Sequence, residues 1–175
     1  MYHERQRLQF CALHALNNLF QASVFAKQDL DDICNSLNSH AKLNPHKSIF
    51  GLGNYDVNVL SAALELKHYQ LIWFDKRKNL NSINLFHVFG FVINKLYKPN
   101  VFGLPIPLNR RHWLAVRYIN GRYYNLDSKL SQPECIGNED SLIDFLANEI
   151  SVPTTEMFLV VSNALDKNSW WKMDK

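Results

Sequence analysis

Cysteine, glycine and proline are all sparse in this 175-residue chain, at three, six and six residues. Cys11, Cys34 and Cys135 are an odd number of thiols in a chain long enough to fold without disulfides, which fits a reducing compartment better than secretion. No apolar run approaches the roughly 18 residues that a membrane span needs. The opening Met1-Tyr2-His3-Glu4-Arg5-Gln6-Arg7 lacks a signal peptide's apolar stretch. The expected location is cytoplasmic, with the nucleus and the membrane periphery left open. Charge of one sign is lacking too, since 19 basic against 16 acidic side chains leave +3. The basic residues come in short pieces, Lys76-Arg77-Lys78 and Arg110-Arg111, which read as solvated turns or strand ends rather than a stripe that tracks phosphates. Nucleic acid is therefore not an expected partner, and membrane association has only thin support. No internal repeat, low-complexity tract or linker interrupts the chain, so residues 1–175 are expected to form a single domain.

What is abundant is apolar surface. At 47% hydrophobic and 13% aromatic residues, the chain can fill a core, which excludes disorder as its overall state. Residues 5 to 20 are good helix formers, with Leu8, Ala12, Ala15, Leu16 and Leu19 on one stripe. Leu30, Ile33, Cys34 and Leu37 repeat at helical spacing, as do Val57, Leu60, Ala63 and Leu64 behind a cap at Asn54 or Asp56. A late helix over about 140 to 150 carries Ile143, Leu146, Ala147 and Ile150 on one side. Between these lie β-branched and aromatic runs: Tyr69 to Phe74, Val88 to Ile93, His112 to Ile119, Arg122 to Asp127 and Met157 to Val161. Helices first and strands afterwards predict an α+β fold, with the N-terminal helical part packed on a mostly antiparallel sheet. Two long connections, about 38 to 55 and 96 to 110, are of a length that often carries function.

The sharpest local signal is Asn120-Gly121 between two such runs, the signature of a two-residue type I′ hairpin. That turn sets a register in which Ile119 faces Arg122, Arg117 faces Tyr124, Leu114 faces Asp127 and His112 faces Lys129. His112 and Asp127 then share a face as diagonal neighbours roughly 7 Å apart, so the carboxylate can reach and orient the imidazole. Asn125 lies one step further along and is the poorer orienter. A bulge in the loop would shift this register.

A His–Asp pair needs a nucleophile. No serine sits in a nucleophile-elbow context. Cys34 lies on an apolar stripe and reads as core, and Cys135 sits in a turn-like segment. If a helix starts close to Cys11, its free N–H groups and dipole would favour the thiolate. No Ser, Thr, Asp or Asn cap precedes Cys11, however, and a helix running unbroken from Glu4 is locally plausible. A cysteine in a helix-forming stretch is more often packing than chemistry. His14 is a rival base. Cys11-x-x-His14 has metal-ligand spacing but no second tight pair, so no metal site and no cofactor are expected. By local reading alone, a thiol hydrolase is suggested without being favoured.

Five motifs in one order change that balance: Tyr2-His3-Glu4-Arg5-Gln6, Cys11-Ala12-Leu13-His14-Ala15-Leu16-Asn17-Asn18, Gly53-Asn54-Tyr55-Asp56-Val57-Asn58-Val59, Arg111-His112-Trp113 and Tyr123-Tyr124-Asn125-Leu126-Asp127-Ser128-Lys129-Leu130. Together they resemble the Josephin family of deubiquitinating cysteine proteases, in its short stand-alone form, from Tyr2 to about Trp170. The resemblance implies a papain-like fold and hydrolysis of the bond after ubiquitin's C-terminal glycine, with ubiquitin and its conjugates as partners. It implies Cys11 as nucleophile at the start of the central helix, His112 as general base and acid, Asp127 as its orienter and Gln6 as an oxyanion donor. Asp127 stands where the long ataxin-type member has Asn. The helical part between about 28 and 54 would correspond to the family's projecting hairpin, which gates substrate. Leu104, Ile106 and Trp113 are expected to contact the ubiquitin tail, Leu104 and Ile106 from a segment chained directly to His112. The alternative is a ubiquitin-binding module with little turnover.

Overall fold

The structure, a computed structural model, describes residues 1–6, 10–37, 55–97 and 110–165, together with the backbone at 100–101 and 104–105. Three helices come first: α1 (Cys11–Phe20), α2 (Lys27–Leu37) and α3 (Val57–Glu65). Strands follow: β1 (Tyr69–Trp73), β2 (Val88–Tyr97), the short pair β3 (Asn100–Val101) and β4 (Leu104–Pro105), β5 (Arg110–Ile119), β6 (Arg122–Asn125) and β7 (Glu134–Gly137). Helix α4 (Glu139–Ser151) and strand β8 (Glu156–Ser162) close the described chain. Six strands form one sheet in the order β1-β8-β2-β5-β6-β7, every neighbouring pair antiparallel. The architecture is α+β, as the order of sequence signals predicts.

Asn120 and Gly121 take φ values of 48° and 88°, the left-handed pair that a type I′ turn requires. The register follows: Ile119 pairs with Arg122, Arg117 with Tyr124 and Val116 with Asn125. Formal pairing stops at Asn125, but the Leu126 N–H still donates to the Ala115 carbonyl at 2.8 Å. The hairpin register thus carries through to the edge of Asp127.

Alternation along the central strands divides the core in two. Val92, Trp113, Ala115, Phe158 and Val160 pack against α1, α2 and α3, while Phe91, Ile93, Leu114, Val116, Met157 and Leu159 pack against α4 and the turn at Leu80–Ser82. Helix α1 lies inside the first core, and nine of its ten residues are buried, the polar His14, Asn17 and Asn18 among them. Asp56 caps α3, accepting from the N–H groups of Asn58 and Val59.

Several expectations need correction. Helix α1 starts at Cys11, where the family resemblance puts it, and not near residue 5 as local propensity suggests; Met1–Gln6 is an irregular segment held by side chains, as described below. In α4 Ile143, Leu146 and Ile150 pack on the second core as expected, but Leu142 is buried there too and Ala147 is exposed, so the apolar stripe is rotated slightly from the expected one. Leu37, at the last position of α2, is 43% exposed. Strand β7 was not expected, because Glu134-Cys135-Ile136-Gly137 mixes a charge and a glycine at the sheet edge. Residues 38–54, including most of the expected gating hairpin, lie outside the described residues. No described helix is long and apolar enough to cross a membrane.

Gly90 marks a close approach of helix α1 to the sheet. It sits at a register shift in the β2–β8 pairing, and a Cβ there would lie 2.6 Å from Leu19 Cδ1 and 2.8 Å from the Val116 carbonyl oxygen. The carbonyl belongs to a paired strand and cannot move aside easily. Gly90→Ala is therefore expected to destabilise by ~1–3 kcal/mol through overpacking. A lowered denaturant midpoint with an unchanged slope is the expected reading.

Candidate active site

Cys11 is the first residue of α1 and is 4% exposed. The preceding Phe10 makes no side-chain capping bond, so the helix's first N–H groups face the sulfur end of the helix without a capping oxygen. A helix would extend back through good helix formers unless something held the preceding chain. That something is a set of side chains that tie the segment to α1 and its C-terminal cap: Asn17, Asn18 and His14 on the helix, Gln21 just after it, and Glu4 on the segment itself. Gln21 exchanges two hydrogen bonds with the Tyr2 main chain, both at 3.1 Å. Asn18 accepts from the Glu4 N–H and donates to the Glu4 carbonyl, reproducing with one side chain the pairing of a neighbouring strand. The Glu4 carboxylate accepts from Tyr2 Oη and from Asn17 Nδ2 and contacts His14 Nδ1 at 2.6 Å. Finally, the Gln6 N–H donates to the Ser128 carbonyl at 2.7 Å, tying the segment to the residue after Asp127.

This network accounts for His14. Its ring is engaged by Glu4, on the strap that precedes the helix, and the residues around Cys11 are others. His14 is thereby engaged with Glu4 and is not among the residues that line the cleft at Cys11. Among the described residues, no group of three or more His, Cys, Asp and Glu could hold a metal ion.

Cys11 lines a narrow cleft of about 50 Å³ with Gln6, Tyr97, Arg110, Arg111, His112 and Lys129. His112, near the start of β5, is 2% exposed, and its Nε2 lies 2.7 Å from Asp127 Oδ1. Burial pushes the Asp127 carboxyl up, but the hydrogen bond and charge of His112, the Lys129 N–H and the charge of Lys95 together hold it below the usual range. Asp127 is thus ionised at neutral pH and can only accept, so the His112 hydrogen sits on Nε2. Nδ1 keeps its lone pair and is the nitrogen left to exchange a proton.

Asn125 makes no hydrogen bond to the imidazole. Its Oδ1 accepts from the Asp127 N–H at 3.1 Å and its Nδ2 donates to Glu134 at 3.1 Å, so it braces the backbone that carries the acid. Asp127 Oδ1 also accepts from the Lys129 N–H at 2.9 Å.

The sulfur's environment differs from the expectation of a thiol brought toward neutrality by the helix alone. Burial is the largest influence and pushes the Cys11 pKa up. The N–H groups of Trp113, Ala12 and Cys11 and the charge of Lys129 pull the other way without reversing it. In the free protein the thiol form is favoured, and a base at hand has work to do.

Of the residues expected to meet substrate, Trp113 is 4% exposed and donates through Nε1 to the Tyr55 carbonyl at 3.0 Å. Trp113 also lines a larger cavity of about 350 Å³, with Tyr55, Val57, Asn94, Arg111 and Phe158 among the walls. Arg111 borders both this cavity and the narrow cleft, so the two adjoin. Leu104 belongs to β4, of which only the backbone is described, and Ile106 lies outside the described residues. Sequence reasoning missed Tyr97 and Lys129 as cleft residues. A signal for Lys129 was present, because the hairpin register sets it opposite His112.

A family model described as Josephin matches residues 6–161. The chain belongs to the Josephin family. It is 46% identical over 176 residues to Josephin-2 of Homo sapiens, covering 99% of this chain and 93% of that protein. It is 46% identical over 168 residues to a Josephin-like protein of Drosophila melanogaster, covering 95% of this chain and 76% of that one. Ataxin-3 of Homo sapiens is more distant, at 26% over 159 residues, covering 79% of this chain and 39% of its own length. The Josephin domain is a papain-like fold, and its family is one of deubiquitinating thiol proteases. A central helix packed against an antiparallel sheet, with a cysteine at the helix start, is the arrangement described above.

Proposed function

We propose that this chain is a deubiquitinase that hydrolyses peptide and isopeptide bonds at the C-terminal glycine of ubiquitin, using Cys11, His112, Asp127 and Gln6. The observation that carries this reading is the 2.7 Å contact between His112 Nε2 and Asp127, in the cleft that also holds Cys11 and Gln6. His112 Nδ1 takes the proton of the buried thiol, and the resulting thiolate attacks the carbonyl carbon of the terminal glycine. Negative charge moves to the carbonyl oxygen, where the Gln6 amide and the Cys11 N–H act as donors. The carbon–nitrogen bond then breaks as His112 Nδ1 returns its proton to the leaving lysine amine. Water, deprotonated by His112, attacks the thioester and releases the glycine carboxylate and the Cys11 thiol. Trp113, on the wall of the larger cavity, borders the path of the ubiquitin tail.

The near-complete burial of Cys11 favours a second reading, a ubiquitin-binding module with little turnover. A ubiquitin bearing a C-terminal electrophile separates the two. Deubiquitinase activity predicts one covalent adduct per chain, mapped by mass to Cys11 and absent in Cys11→Ala. Ubiquitin that binds without forming that adduct supports the module.

A further inference from the structure

Lys129 is a charged cleft residue that the proposed chemistry leaves unused. Its backbone N–H is fixed on Asp127 Oδ1, and although the residue is exposed as a whole, its ammonium lies over the face of the Tyr97 ring. Tyr97 in turn stands beside His112, with ring centroids 6.4 Å apart. The ammonium is therefore held at the mouth of a cleft whose other walls include the sulfur and the catalytic imidazole.

The charged groups around it can be sorted by where their charge is spent. Lys95, opposite His112 on β2, is paired with Glu149 at 3.0 Å. Arg111 donates to the Thr154 carbonyl, and Arg110 is exposed at the rim. Asp127 accepts from His112 and from the Lys129 N–H. Among these groups, the charge that favours ionised Cys11 is that of Lys129, and the influence is mutual, since Cys11 and Asp127 both favour the charged lysine. Against them, desolvation pulls the ammonium down to about 8, with Lys95 adding to the effect. A cation held where it is partly desolvated does little for stability, which points to a use elsewhere.

We propose that Lys129 is a positioning residue for the nucleophile, its ammonium over Tyr97 supplying the positive charge that stabilises the Cys11 thiolate before and during transfer of the proton to His112. The proposal rests on Cys11 being the nucleophile of the proposed function. In a sulfur site where burial favours the neutral thiol, an added cation raises the fraction of thiolate at neutral pH. Its effect belongs to the chemical step, so kcat changes and KM does not.

The test is the pH dependence of Cys11 alkylation by chloroacetamide, a small uncharged electrophile, read by mass at the Cys11 peptide so that Cys34 and Cys135 do not interfere. Lys129→Met keeps a long chain over Tyr97 and removes the charge. Its alkylation curve is expected to move alkaline by about one unit, a roughly tenfold slower reaction near pH 7. Lys129→Arg is expected to return the curve to within about twofold of the parent and to restore kcat for ubiquitin cleavage in parallel. Lys129→Met is also expected to unfold at the parent's temperature or above. An unshifted curve in folded Lys129→Met overturns the proposal, and so does a shifted curve that Lys129→Arg fails to restore. Failure of the underlying reading looks different: the parent chain would then show no ubiquitin-electrophile adduct at Cys11 at all.

Discussion

His112→Ala is expected to reduce ubiquitin cleavage by about 10³-fold or more, at the upper end of the range for losing a general acid–base and near the effect of losing the nucleophile with which it acts. Without the imidazole, Cys11 has no acceptor for its proton in a site that already favours the thiol, and the amine leaves unprotonated. Both half-reactions fail together, so the loss appears in kcat and in kcat/KM alike. His14→Ala is the informative control. That ring is engaged with Glu4 and does not line the cleft, so substantial activity is expected to remain. Single-turnover cleavage of a ubiquitin amide, with unfolding curves for both variants, makes the comparison. Equal losses in the two variants would remove His112 from its role.

The second large effect is at Asp127, and its two replacements are expected to separate. Asp127→Ala leaves His112 Nε2, in a 2% exposed ring, without its partner, and also strips the acceptor from the Lys129 N–H. Stability is expected to fall by ~1–3 kcal/mol, the cost of a buried group left unsatisfied. Activity is expected to fall by about 10²–10³, because the tautomer with a free Nδ1 lone pair is no longer enforced. Asp127→Asn is different for a geometric reason. The Lys129 N–H requires an acceptor at Oδ1, which turns the amide oxygen, and not the NH2, toward His112. The tautomer survives, while the weaker neutral hydrogen bond gives up roughly 1.4 kcal/mol, about tenfold in rate.

Acid sensitivity gives the same residue a second reading. The folded carboxyl is held below its ordinary value, so its contribution to stability is complete above about pH 4, the usual aspartate range, and is lost as pH falls through the folded value. Asp127→Asn removes a titrating group and should flatten the acid limb of the stability curve, measured as denaturant midpoint against pH.

Elements with a turn or cap of their own were legible from the residues. The Asn120-Gly121 turn and the Asp56 cap act within a few residues, and both stand in the structure where the chain pattern puts them. The start of α1 was not legible by propensity, because no capping side chain marks it and the preceding residues favour helix. Its boundary depends on Asn18, Gln21 and Glu4, whose hydrogen bonds cross 14 to 19 residues of chain. The family motifs carried that boundary where local rules could not. The rotated stripe of α4 has a similar cause: Leu142 and Ala147 are both compatible with a helical period, and contact with the second face of the sheet selects Leu142.

The sequence by itself determined the hairpin register from Ile119–Arg122 to Val116–Asn125, since a two-residue turn needing positive φ at both positions admits one alignment of the strands it joins. It also determined which cysteine to consider, through the motif around Cys11. Only the tertiary structure decided that Cys11 is nearly buried and favoured as a thiol, that His112 Nε2 is held by Asp127, and that Lys129 shares the cleft. Those properties arise from desolvation and from charges on α1, β2, β5 and the loop after β6, groups far apart along the chain that only folding brings within a few ångströms.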